Sequence, residues 1–69
     1  MLITHHEYEI EVGPAHQRAD GRYTVAWAAY LGSRDDGPIG AGMTMAFLDA
    51  ETAVATACAE ARIAVNELS

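Results

Sequence analysis

The chain has 69 residues, of which ten are acidic and four basic, so its formal net charge at pH 7 is −6. A chain of this length is expected to form one small α+β domain spanning residues 1–69. All four basic residues are arginines, scattered along the sequence. Nucleic-acid binding and attachment to anionic lipid are therefore disfavoured, because both depend on neutralising phosphates.

The expected compartment is the cytoplasm. No stretch of the sequence approaches the ~20 apolar residues of a membrane span, and the first seven residues lack the basic region of a signal peptide. Cys58 is the only cysteine in the sequence, so an internal disulfide is excluded and a reducing environment is favoured. Because a core this small rarely contributes more than about 3–5 kcal/mol, self-association is the expected source of additional stability.

Residues 6–12 alternate strictly between two kinds of side chain. The apolar and aromatic set on one side is His6, Tyr8, Ile10 and Val12, and the acidic set on the other is Glu7, Glu9 and Glu11. This period of two predicts a half-buried strand with an acidic, solvated face. Pro14 is expected to end the strand because proline cannot donate to a ladder of hydrogen bonds.

Two further strands are predicted, over residues 22–31 and 39–47, each preceded by a turn, at 20–21 and at 32–38. In the second strand the predicted core face is Tyr23, Val25, Trp27, Ala29 and Leu31, and the other face is Thr24, Ala26, Ala28 and Tyr30. In the third strand the predicted core face is Ile39, Ala41, Met43, Met45 and Phe47, and the other face is Gly40, Gly42, Thr44 and Ala46. Glycines inside a strand weaken it and often mark a bulge.

Residues 47–69 predict an amphipathic helix with a stripe of mostly small side chains. The stripe is Ala50, Ala53, Val54, Ala57, Cys58, Ala61, Ala64, Val65 and Leu68, and its i, i+3, i+4 spacing is that of one helix face. Asp49 is the predicted N-cap, because its carboxylate can accept hydrogen bonds from the first-turn amides. Small helix residues against large sheet residues predict two closely packed layers.

These elements predict a three-stranded antiparallel β-meander with one C-terminal α-helix on one face, in the order β-β-β-α. One helix covers one face, so the opposite sheet face is predicted to be open. An open face of small side chains suits another protein surface. The predicted interaction face consists of Glu7, Glu9, Glu11, Thr24, Ala26, Ala28, Tyr30 and Thr44.

Few residues in the sequence suggest chemistry. The candidate metal ligands are His5, His6, Glu7 and His16, but structural zinc sites need three or four convergent ligands, and adjacent strand residues point to opposite faces. Cys58 lies on the apolar stripe, where a thiol acts as a small hydrophobe. The three glutamates share one solvated face, without the different environments that separate the pKa values of a catalytic pair. We therefore predict no catalytic residue, no cofactor and no enzyme activity.

The strand-strand-strand-helix order resembles the half-RNase-H-like domain of HicB-type antitoxins over about residues 22–68. The resemblance depends on the turn at Asp35, Asp36 and Gly37 and on the opening of an alanine-rich helix at residues 47–53. Asp49 and Ala53 occupy the nearest places to the Thr-x-x-Glu-Ala opening usual in that family. The Tyr-Glu-Ile-Glu-Val segment at 8–12 is also similar to small bacterial strand-and-helix proteins of no assigned activity.

Two functions remain open from the sequence. The first is a non-enzymatic protein-interaction module that self-associates, for example as a homodimer. The second, which the resemblance to HicB-type antitoxins implies, is an antitoxin or acidic regulator that binds a basic protein partner. A chain with net charge −6 suits a basic partner electrostatically.

Overall fold

The computed structural model describes residues 1–32 and 37–68. In chain order the elements are β1 (Leu2–His5), β2 (Tyr8–Val12), β3 (His16–Gln17), β4 (Tyr23–Thr24), β5 (Ala26–Leu31), β6 (Gly40–Met43) and α1 (Ala50–Leu68). An antiparallel four-stranded sheet has the order β1-β2-β5-β6, and β3 pairs with β4 in a second sheet. The α+β class is confirmed. The three-stranded meander is wrong, since the described ranges contain six strands in two sheets.

Only Tyr8–Val12 of the predicted first strand, residues 6–12, is a strand, and a further strand, β1, precedes it. His5 pairs with Tyr8 across a two-residue turn at His6 and Glu7, and His6 has a φ of 57°. Positive φ is uncommon outside glycine, although histidine is among the residues that tolerate it more often. The alternation from residue 6 onwards therefore includes a turn, and β1 lies before it. Part of the turn predicted at 32–38, residues 33–36, and the last residue of the predicted helix, 69, lie outside the described residues.

The pairing between the β4–β5 segment and the β6 segment continues beyond the regular strands. Thr44 N–H donates to the Val25 carbonyl over 3.0 Å, and Tyr23 and Phe47 exchange two backbone hydrogen bonds. Between these contacts two residues, Met45 and Ala46, lie opposite Thr24 alone. This two-against-one arrangement is a bulge, and it follows β6 rather than occurring at the glycines.

The core lies between α1 and one face of the four-stranded sheet. The fully buried helix residues are Ala53, Ala57, Ala61 and Val65, spaced by four. They pack with the buried sheet side chains Tyr8, Ile10, Val12, Val25, Trp27 and Ala29. The predicted stripe is confirmed except at its two ends, since Ala50 lies outside the core cluster and Leu68 is exposed. Because three of the four buried helix side chains are single methyl groups, the helix approaches the sheet closely.

Asp49 caps the N-terminus of α1, as its sequence position predicts. Its carboxylate oxygens accept hydrogen bonds from the amides of Glu51 at 3.3 Å and Thr52 at 3.0 Å, and also from the Thr52 hydroxyl. These bonds favour the charged carboxylate. The Thr52 hydroxyl, followed by the Thr52 amide, holds the pKa of Asp49 below its ordinary value of 3.8.

Trp27 packs over Gly42, its partner across β5 and β6. A Cβ atom on Gly42 would lie 2.8–2.9 Å from three atoms of the indole ring, closer than carbon atoms approach in proteins. The indole is 8% exposed, and its Nε1 is buried with no hydrogen-bond partner among the described residues. The absence of a side chain at Gly42 is therefore what leaves room for the indole.

We predict that Asp49→Asn lowers the melting temperature at neutral pH, because the amide replaces a charged acceptor at the positive end of the helix dipole. A carboxyl with a lowered pKa stabilises the fold above its unfolded pKa, and that contribution is lost as the pH falls through the folded pKa. Thermal unfolding of both proteins should therefore give a constant difference above pH 5 or so, shrinking as the pH falls below 3.8. A difference that does not depend on pH would contradict this role of the carboxylate.

We predict that Gly42→Ala lowers the free energy of unfolding by about 1–3 kcal/mol, the usual cost of overpacking a core. The matched control is Gly40→Ala on the same strand, where a Cβ meets no atom within 4 Å. Denaturant unfolding of the two variants measures the difference. Equal midpoints for the two alanine variants would show that the indole moves aside without cost.

Candidate interaction surface

The face of the four-stranded sheet opposite α1 is the candidate site. The strand register and the alternation of side chains assign its members, which are Leu2, Thr4, Glu9, Glu11, Ala26, Ala28, Tyr30, Ala41 and Met43. Leu2 and Met43 are the large apolar side chains at its two edges, 56% and 65% exposed. The small side chains Ala26, Ala28 and Ala41 lie on β5 and β6, and the two glutamates of the face lie together on β2.

A shallow depression lies in the middle of this face. Its volume is about 220 Å³, and it is lined by Glu11, Gly13, Ala26, Trp27, Ala28 and Tyr30. Two of the six lining residues are alanines, and Glu11 is the acidic residue among them. Such a depression can accept a side chain from another protein, and it brings together no acid, base and nucleophile.

The structure brings together five residues of the predicted interaction face. Glu9 pairs with Tyr30 and Glu11 with Ala28 across β2 and β5, and Ala26 follows on the same side. The side-chain directions of β5 are those that its alternation predicts, with Trp27 and Ala29 buried and Ala26 exposed. That these residues bind a partner stays a prediction.

Three residues of the predicted interaction face lie elsewhere. Glu7 is in the β1–β2 turn rather than in a row with Glu9 and Glu11. Thr24 pairs with His16 in the small β3–β4 sheet. Thr44 is only 5% exposed, and its hydroxyl accepts a hydrogen bond from the Val25 amide at 3.1 Å. Glu7 is displaced by the turn, whereas Thr44 keeps the phase of Gly40 and Gly42 and shares their position on the helix side.

The predicted orientation of the third strand is wrong. Gly42 pairs with buried Trp27, and Gly40 with buried Ala29, so the glycines lie on the helix side. Ala41 and Met43 point to the uncovered face. A large side chain was expected to mark the core side, but here the neighbouring Trp27 fills the space above a glycine. The bulge at 45–46 then reverses the alternation, so that Thr44 and Phe47 both reach the core side.

Leu2 and Thr4 were also missed, because the alternation was traced only from His6 onwards. Thr4 pairs with Glu9 and Leu2 with Glu11, which adds both side chains to the uncovered face. The sequence gives little signal for this strand, since Leu2 to His5 does not alternate between apolar and polar residues, although Ile3 and Thr4 are β-branched. The missing element was the turn at His6.

The candidate metal ligands do not converge on one site. His5 and His6 have ring centroids 4.4 Å apart, because the positive φ of His6 turns its side chain out of the strand alternation; the expectation that they point apart is wrong. His5 Nε2 lies 3.0 Å from Asn66 Oδ1 on α1, and His16 belongs to the second sheet. Among the residues with described positions, no group of three or more His, Cys, Asp or Glu side chains could hold a metal ion.

Cys58 is half-buried on α1 at the margin of the core, next to the buried residues rather than in the depression. Helical residues with described positions form no segment that is long and apolar enough to traverse a bilayer. Comparison of the chain with models of protein families, with curated proteins and with solved structures finds no match. The candidate surface therefore has to be interpreted from its own geometry.

We predict that Thr44→Val lowers the free energy of unfolding by about 1–3 kcal/mol, the cost of a buried amide left without its acceptor. Thr44→Ser keeps the hydroxyl and is the matched control, so it should lie closer to wild type. Denaturant unfolding compares the three proteins. A valine variant as stable as the serine variant would place Thr44 outside the core hydrogen-bond network.

Proposed function

We propose that this chain is a non-enzymatic protein-interaction module that self-associates through the β5–β6 half of its sheet. The observation that supports this proposal is the one-sided cover of the four-stranded sheet. α1 packs on one face, while Ala26, Ala41 and Met43 on the other face are exposed. Uncovered apolar sheet surface is a common location of protein–protein contacts.

The distribution of charge favours a second copy at this half of the sheet. Residues 37–48 contain no charged side chain, although the chain has a net charge of −6. Four of its large apolar side chains are exposed there, namely Ile39, Met43, Met45 and Leu48. Two acidic copies can therefore approach each other at β6 without bringing like charges into contact, which elsewhere would cost affinity.

A second candidate function is supported by the other half of the face. Glu9 and Glu11 lie two residues apart on β2 and point to the same side of the sheet, which gives that half an acidic surface suited to a basic protein. This is the antitoxin-like or regulatory alternative. It needs no self-association, so a wild-type chain that stays monomeric at high concentration would favour it over the first proposal.

We predict that Met43→Glu weakens self-association by about tenfold or more, because it places like charges in the contact. Sedimentation equilibrium of the 7.4 kDa chain over a range of about 10 µM to 1 mM measures it, since small interfaces bind weakly. The matched control is Ile63→Glu on α1, because Ile63 is 58% exposed and Met43 is 65% exposed. Association weakened equally by both variants would contradict the assignment to the β5–β6 half, and a monomeric wild type would overturn self-association itself.

A further inference from the structure

The free edge of β6 has backbone groups in a defined pattern. Antiparallel partners alternate between pairs that exchange backbone hydrogen bonds and pairs that exchange none. The Thr44 amide bonds to the Val25 carbonyl, so the register makes Gly42 and Trp27 the next bonded pair. It follows that Ala41 and Met43 direct their N–H and C=O groups away from β5, to the free edge.

The same alternation holds across the rest of the sheet. The Gly13 amide bonds to the Ala26 carbonyl, and Met1 and Val12 exchange two bonds. Since the bonded pairs recur at every second residue, the even-numbered residues of β5 form backbone hydrogen bonds with β2, and its odd-numbered residues form them with β6. The outward groups on the other free edge, that of β1, are then those of Leu2 and Thr4. Within the described ranges, the sheet therefore has two edges that no further strand pairs with, at β1 and β6, each with four outward backbone groups.

The β6 edge is complementary to itself. When two copies of β6 run antiparallel about a two-fold axis at Gly42, Ala41 of one copy lies opposite Met43 of the other. All four outward groups of each copy then find partners, in four intermolecular hydrogen bonds. On the uncovered face each Met43 side chain lies beside the methyl group of Ala41 in the second copy. On the helix side the two glycines face each other, where a non-bonded pair brings the Cα atoms to about 4.5 Å.

Charge distinguishes this edge from that of β1. With neighbouring strands about 4.8 Å apart, joining two β6 edges places the Glu9 and Glu11 pairs of the two copies five strand spacings, about 24 Å, apart. Joining two β1 edges would place them three spacings, about 14 Å, apart. The first distance is about three Debye lengths of about 8 Å and the second is less than two, so β6 pairing leaves the weaker repulsion of the two. Residues 39–48 also contain no proline and no charge, the usual devices that block an edge.

We infer that β6 is a pairing edge, at which a second copy of this chain adds its own β6 antiparallel about Gly42 to form one continuous eight-stranded sheet. This inference rests on the proposed function, since it gives the geometry of the self-association. Both helices then lie on the same side of the joined sheet, and the two uncovered faces form one surface. The occupant of the edge is a second copy rather than a foreign peptide, because the outward groups and the alternation of small and large side chains match under the two-fold axis.

Proline substitution tests the edge directly, because it removes an outward N–H while leaving the bonds to the inner strand, and proline is tolerated on edge strands in this orientation. Ala41→Pro should weaken self-association by about tenfold or more, since both copies lose a donor. Thr4→Pro makes the equivalent change on the β1 edge, and Ala28→Glu places a charge at the centre of the uncovered face. Both control variants should associate within about twofold of wild type if the edge alone pairs.

The possible outcomes of sedimentation equilibrium separate the inference from the proposed function. If the Ala28→Glu variant is monomeric and the Ala41→Pro variant still forms a dimer, the copies meet face to face. The edge inference then fails and the proposed function stands. If the Thr4→Pro variant is monomeric and the Ala41→Pro variant still forms a dimer, the pairing edge is β1 and the inference is again overturned. A wild-type chain that is monomeric throughout the concentration range overturns both.

Two measurements on the unmodified chain keep the test independent of variants that fail to fold. Amide hydrogen exchange followed by NMR should slow with increasing protein concentration at Ala41 and Met43, but not at Leu2 and Thr4. Trp27 is the only tryptophan in the sequence and lies over Gly42 at the proposed axis, so its fluorescence emission should change over the same concentration range. Exchange at Ala41 and Met43 that does not depend on concentration in a sample shown to be dimeric would overturn the edge inference.

Discussion

The close contact between α1 and the sheet determines most of this structure. Ala53, Ala57 and Ala61 are spaced by four and fully buried, so one row of methyl groups replaces the thicker layer of leucines found in many small domains. The larger volumes come from the sheet, with Trp27 the greatest among them. A helix held this close covers one side of four strands and leaves the other side to the solvent.

The part of the fold that was predictable from the sequence is the part in which local periodicity is uninterrupted. The helix, its cap at Asp49 and the side-chain directions of β5 agree with the structure, because each lies within a regular segment, although Leu31 at the end of β5 is 45% exposed rather than buried. Prediction failed at His6, whose left-handed conformation has no sequence signature as strong as a glycine, and over β6, whose two faces are exchanged relative to the prediction up to the bulge that follows Thr44. One residue of phase error is enough to exchange the faces of a strand.

Glycine introduced a different kind of error. A position without a side chain looks unsuited to a core face, yet Gly42 lies on the core side because Trp27 on the adjacent strand fills the space above it. The single-strand pattern contains no information about that contact, which depends on register. The same dependence explains why the glutamates and β5 residues of the candidate surface could be grouped from sequence, whereas Leu2, Ala41 and Met43 could not.

The first and last elements of the chain meet in the fold, since His5 on β1 lies against Asn66 on α1, 61 positions later. The strands are joined largely by local hairpins, which can form while the polypeptide is still being synthesised. α1 follows the strands in the chain, so its residues are synthesised after theirs. A nascent chain stalled before α1 would therefore present both faces of its sheet, including Ile10, Val12 and Trp27, to solvent or to chaperones. Completion of the nineteen-residue helix is the step that buries one of these two faces.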